Sequence, residues 1–261
     1  MYQKGDPQLD VGQPRQVANS AVSVDETRHL PASPVGYSKG DAVLIPKAFL
    51  VVFSGGLRRE LDYFKVIEQN PEKFPGLKLD FFVEDRFKTG HVPMVYQLAL
   101  DKVDEYNTSS SPDAPDVFYV VTDVDLFLEH IQTYKPLFEA KNIGLIVNNP
   151  CLEVWLYYSK CGDKFEGFVF PVNPEALSSA VKTFVHSKTG GVSPRKAIFD
   201  IEVNIVNARN NYDEDANGIP SCFSTNMFLL AERMLPLLRP GLNSIKTERE
   251  ALRRMWLEKS Q

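Results

Sequence analysis

IGLIVNNPCLEVWL, Ile143 to Leu156, is the stretch on which the fold turns. Its first half, Ile143 to Asn148, is a nearly unbroken apolar run without polar alternation. A strand wet on one face alternates with period two, whereas a strand covered by helices on both faces does not; such strands belong to largely parallel sheets. The second half changes period: Leu152, Trp155 and Leu156 share a helical face that can pack on the sheet. Asn149 can cap that helix and Pro150 suits its first turn, where no amide donor is lost. The stretch therefore reads as strand, turn and helix.

Working outward, three more runs have strand character: AFLVVFS (Ala48 to Ser54), LKLDFFV (Leu77 to Val83) and VFYVVT (Val117 to Thr122). Helical patterns over Glu60 to Gln69, Met94 to Tyr106 and Leu126 to Ala140 separate them; in the second, Val95, Leu98, Val103 and Tyr106 recur at helical spacing. The turn-rich NTSSSPDAPD, Asn107 to Asp116, punctuates the entry to the third strand. This alternation predicts an α/β core over residues 44–160, with a largely parallel four-stranded sheet flanked by helices. A helical C-terminal region, 161–261, follows. Including the end of the core, helices are expected at Cys151 to Ser159, Glu175 to His186, Pro194 to Asn210 and Phe223 to Leu238. The final KTEREALRRMWLEKS has Leu252, Met255 and Trp256 on one side and can dock as an amphipathic helix. Residues 1–43 contain no Phe, Trp or Ile and read as a flexible N-terminal arm.

Composition excludes several classes. The 261 residues are 43% hydrophobic and 24% charged, as in ordinary soluble globular proteins, and 17 Phe with 10 Tyr supply a core without disulfides or a structural metal. A net charge of -5 argues against bulk coating of nucleic acid. Cys151, Cys161 and Cys222 have no CxxC spacing and the four histidines are scattered, which disfavours zinc sites and a disulfide framework. No apolar stretch approaches a membrane span and the first ten residues do not resemble a leader, so a cytoplasmic, non-membrane protein is expected.

Chemistry concentrates where strands end. The third strand runs into Thr122-Asp123-Val124-Asp125, and ligands of open parallel sheets bind beyond the carboxyl ends of strands. Two neighbouring carboxylates suit a divalent cation such as Mg²⁺; equally, Asp125 can simply cap the helix that follows. Glu153, near the positive end of its helix, is either a dipole partner or a third acidic ligand. The first strand leads into Ser54-Gly55-Gly56-Leu57-Arg58-Arg59-Glu60, either a turn that allows close approach of a phosphate or a simple strand-to-helix connection with solvated arginines. It matches neither a Walker A loop nor a dinucleotide fingerprint. Cys151 reads as a buried structural thiol. Lys182, Lys188, Arg195 and Lys196 form a diffuse basic region, fit for nucleic acid or simply solvated.

Together, the glycine turn followed by E-x-x-Y-F, the strand ending in D-x-D, and NNPCLEVWL (Asn148 to Leu156) resemble the RloB family, Toprim-like proteins of prokaryotic defence related to the second AbiL component. The likeness covers Ala48 to Ser159, and more loosely Ala208 and Pro220 to Leu230. It implies a Toprim-like core and a metal-dependent nuclease of an antiphage, abortive-infection system. The substrate would be RNA, plausibly tRNA, or DNA, and the partner an AAA/ABC-type ATPase. It further implies Mg²⁺ or Mn²⁺ at Asp123, Asp125 and Glu153, with substrate met by Gly55, Gly56, Arg58, Arg59 and Asn149. Two positions depart from the family. Its leading first-strand Glu aligns with Gly55, which has no side chain to ligate or transfer a proton, and its His aligns with Ser159. Either Glu60 or Glu153 replaces the missing acid, or the chain is a catalytically degenerate interaction subunit of an ATPase-containing complex.

Overall fold

The computed structural model describes residues 48–56, 58–84, 92–108, 115–125 and 127–259. The expected N-terminal arm and most of the Asn107 to Asp116 turn lie outside them. Four strands, β1 (Ala48–Ser54), β2 (Leu77–Val83), β3 (Val117–Asp123) and β4 (Ile143–Asn148), form one sheet in the order β2-β1-β3-β4. Every adjacent pair is parallel. This is the α/β arrangement of a parallel sheet flanked by helices that the apolar runs predict, and it is consistent with the Toprim-like core that the resemblance implies.

The helices are α1 (Arg59–Glu68), α2 (Val92–Thr108), α3 (Leu128–Ala140), α4 (Glu153–Tyr158), α5 (Leu177–Thr189), α6 (Pro194–Ala197), α7 (Ile201–Asn210) and α8 (Met227–Lys259). Alternate residues of β1 face opposite cores, as period two requires. Leu50 and Val52 join a core with α1, α4, α5, α7 and α8, while Phe49, Val51 and Phe53 join one with α2 and α3. Both faces of the sheet are therefore covered along β1, which is why that strand reads as an apolar run, while edge strand β2 is only partly covered.

Chain direction places the crevice. From β1 the chain crosses to β2 on one side; from β3 it crosses to β4 on the other. The carboxyl ends of β1 and β3 thus flank the point where the winding reverses, the place where open α/β sheets bind ligands.

Some local expectations are corrected. Asn149 does not cap the helix after β4: α4 starts at Glu153 with Leu152 before it, and the Asn149 amide instead donates to Pro220 O at 2.7 Å. The intervening Asn149–Pro150 peptide is cis. Asp125 does not cap α3 either, because it adopts a left-handed φ of 37° and the helix begins only at Leu128. The expected helix from Pro194 to Asn210 is broken by a 3₁₀ turn at Ile198–Asp200. Residues expected to open the next helix at Phe223 are used elsewhere. Asn226 accepts from Val147 N (2.6 Å) and donates to Leu145 O (3.0 Å), and Thr225 bridges to Asn148, so this segment closes the free edge of β4. The final charged stretch continues α8 rather than docking: Leu252, Met255 and Trp256 are 56%, 51% and 74% exposed. No described helix is long and apolar enough to cross a membrane.

Candidate active site

Three acids meet at the carboxyl edge. Asp123 ends β3, Glu153 opens α4 after β4, and Glu60 sits in the first turn of α1 after β1. Glu60 and Glu153 are buried, at 7% and 2% exposure. Asp123 is partly buried and accepts from the Asn148 amide at 3.2 Å. That amide is fixed in turn, since Asn148 Oδ1 accepts from Thr225 Oγ1 at 2.7 Å.

Burial, followed by the Glu60, Glu153 and Asp125 carboxylates, pushes the Asp123 carboxyl well above its usual range, although the Leu152 N–H opposes this. Glu60 is likewise raised, first by burial and then by Glu153, against the opposing pull of its own backbone amide, Lys182 and Arg59. Asp123 thus lies within electrostatic reach of Glu60, Glu153 and Asp125, and Glu60 within reach of Glu153.

Glu60 occupies the space that Gly56 leaves. A Cβ placed on Gly56 would stand 1.8 Å from Glu60 Oε2 and 2.3 Å from its Oε1, so the carboxylate lies directly against the glycine. Only glycine permits that approach. The turn is held by Gly56 N donating to Ser54 Oγ at 2.9 Å. Gly55 thus lacks an acid of its own, while the acid four residues beyond Gly56 folds back onto the same turn.

The remaining expected residues take different places. Arg59 Nε stands 3.0 Å from Glu153 Oε1, an ion pair between an exposed guanidinium and a buried carboxylate. The pair lacks hydrogen-bond geometry, and that oxygen has no hydrogen-bond donor among the described residues. Arg58 is exposed beside the turn. Asp125 is exposed at the rim and accepts from the Ser178 hydroxyl of α5. Asn149 joins the 220–224 segment through both side chain and backbone, a structural role rather than an open contact for substrate. Ser159 is buried and donates to Leu156 O at 2.7 Å, so it offers no replacement for a histidine. The Cys151 thiol is buried; its pKa is pushed well up by burial and then by Glu153 and Asp123, which keeps it an unreactive thiol.

The donor set fits a hard divalent cation of the kind that takes one or two carboxylates and completes its shell with water. It is not a closed cage: among the described residues no group of three His, Cys, Asp or Glu side chains is arranged to hold a metal.

The diffuse basic region dissolves into separate contacts. Arg195 donates to Asp62 through Nε (2.8 Å) and a terminal nitrogen (2.7 Å), and Lys188 lies over the Phe184 ring. Lys182 alone of the four faces the acids. Sequence reasoning did not separate it from its neighbours, nor did it find the Asn148–Thr225 bridge; the former was legible only as a position four residues after Ser178 on a helix. Comparison of the chain with protein-family models, with curated proteins and with solved structures yields no match.

Proposed function

We propose that this chain is a cytoplasmic, metal-dependent phosphodiesterase of the RloB-like, Toprim type, in which Glu60 supplies the acid missing at Gly55. The observation that carries this is the Glu60 carboxylate lying against Gly56 within electrostatic reach of Asp123 and Glu153, at the point where the sheet's winding reverses. A raised carboxyl pKa is what a group exchanging protons near neutral pH requires.

In this scheme Asp123, fixed by Asn148 and Thr225, and Glu60 would hold a Mg²⁺ or Mn²⁺ ion, which supplies polarisation of a phosphoryl oxygen and a more acidic bound water. Glu60 is also the candidate to take a proton from the attacking water. Arg59 neutralises Glu153, lowering the repulsion that an incoming phosphate meets. The preference for RNA, the antiphage role and the ATPase partner come from the family resemblance.

The test is hydrolysis of tRNA and of DNA with Mg²⁺ or Mn²⁺ by the wild type and by Asp123→Asn and Glu60→Gln. Metal-dependent cleavage lost in both variants is the expected result; equal cleavage by all three abandons the site. A second reading, a non-catalytic subunit of an ATPase complex, is favoured by the Arg59–Glu153 pair, which ties up one of the expected metal ligands. It predicts stable co-purification with an ATPase and no cleavage by the isolated chain.

A further inference from the structure

Helix α5 packs against α4 and turns two polar side chains toward the acids. Ser178 donates its hydroxyl to Asp125. Lys182 lies four residues further along, and so on the same helical face. Its ammonium experiences Glu153, Cys151, Asp125 and Asp123, in that order of strength. Desolvation opposes its charge, but these groups outweigh it and hold the amine above its usual pKa. Lys182 is therefore a permanent cation at neutral pH.

What marks Lys182 is that it lies within electrostatic reach of the acids without forming an ion pair with any of them. Arg59 is held by Glu153, Arg195 by Asp62 and Lys160 by Asp200 at 2.6 Å, while Arg58 stands exposed beside the glycine turn rather than on the α5 face. Among the described residues Lys182 has neither an ion pair within 4.0 Å nor a hydrogen bond. It is exposed, so it stands at the mouth of the cluster with solvent in front of it. A phosphate approaching the acidic cluster meets negative charge, and the Arg59 guanidinium is already held by Glu153. An exposed cation beside the cluster can receive it.

We infer that Lys182 receives a non-bridging phosphate oxygen of a nucleic-acid strand and thereby directs the strand along the Ser178–Lys182 face of α5 into the acidic cluster. This rests on the phosphodiesterase reading above, but it concerns binding and is separable from cleavage. One phosphate contact from a lysine weakens binding evenly across sequences when removed, and lowers the slope of log affinity against log salt by about 1.

The test measures affinity for a fluorescent single-stranded oligoribonucleotide in Ca²⁺, across a salt series, for wild type, Lys182→Gln, Lys182→Arg and Lys196→Gln. Lys196 is exposed on α6 and controls for the loss of one surface charge. The expected result is weaker binding and a slope lower by about 1 for Lys182→Gln, restoration by Lys182→Arg, and near wild-type affinity and slope for Lys196→Gln. Wild-type affinity and slope in Lys182→Gln, or no binding by the wild type, overturns the inference. Replacing Ca²⁺ by Mn²⁺ separates the two claims. Lys182-dependent binding without cleavage leaves the lysine's role standing and removes the enzymatic reading; cleavage indifferent to Lys182 does the reverse.

Discussion

At the scale of single residues, the active-site case rests on a carboxylate whose position is set by a glycine. If Glu60 exchanges the proton, Glu60→Gln should lower metal-dependent cleavage by about 100- to 10,000-fold, the usual range for a general acid–base group. Gly56→Ala supplies the independent check. Its methyl would occupy the carboxylate's place, and because the displaced atoms are the end of a flexible side chain, the fold should tolerate it. Activity should fall as in Glu60→Gln, with thermal midpoint nearly unchanged. Asp123 gives a pH prediction. Its folded pKa is raised, so the folded state keeps a proton that the unfolded state has lost. Stability from this group is present at low pH and is lost as pH rises from the ordinary aspartate range through the raised value. Asp123→Asn should therefore raise the metal-free melting temperature at neutral pH and flatten its pH slope, read by differential scanning calorimetry. Added Mn²⁺ should stabilise the wild type and not the variant.

At the scale of elements, the six-residue helix α4 cannot satisfy its own ends. A helix leaves its last four carbonyls without intrahelical donors, and α4 is buried along its whole length. Helix α7 meets this need through Asn204 and Asn207, and Asn211, just past its end, serves the loop after α4. Asn204 donates to Trp155 O, Asn207 to Tyr158 O and Asn211 to Gly162 O, each at 2.9 Å. The ladder holds α4, and with it Glu153, in place. Asn204 is fully buried, so Asn204→Ala should cost about 1–3 kcal/mol, the penalty for leaving a buried carbonyl unpaired. Asn211→Ala, at the more open end, should cost less, and urea midpoints rank the two. The spacing N-x-x-N-x-x-x-N was visible in the sequence, but its meaning was not, because the partner carbonyls lie 49 residues away.

At the scale of the whole molecule, legibility follows how local the cause is. All four strands read within a residue of their bounds: three are near-continuous apolar runs because helices cover both faces, and edge strand β2, LKLDFFV, carries Lys78 and Asp80 where it is less covered. Asp123 and Glu153 could be placed at the carboxyl edge because that edge follows from parallel topology. The Glu60 fold-back was one of two options, since Gly55 alone could not say which acid moved in. The segment 223–226 was misread as helix because closing the edge of β4 is a long-range demand that its local sequence does not announce. The same long-range coupling decides whether residues 44–160 can stand alone. The α2–α3 face of the sheet is closed almost wholly from within that range. The other face is not: Trp155, Leu156, Tyr63 and Phe64 share their core with α5, α7 and α8. At α8 the fit is close enough that a Cβ on Gly241 would stand 2.3 Å from Lys73 O. Each fully buried apolar side chain contributes about 1.5–3 kcal/mol, and a domain's net stability is about 5–15 kcal/mol. Loss of a handful of those contacts exhausts the margin. A chain ending at residue 160 should therefore show no cooperative thermal transition and should bind a hydrophobic dye at ambient temperature, while the full chain melts in a single step. A cooperative melt of the shortened chain would mean that the acidic cluster sits on a self-sufficient sheet, with the C-terminal helices as an addition.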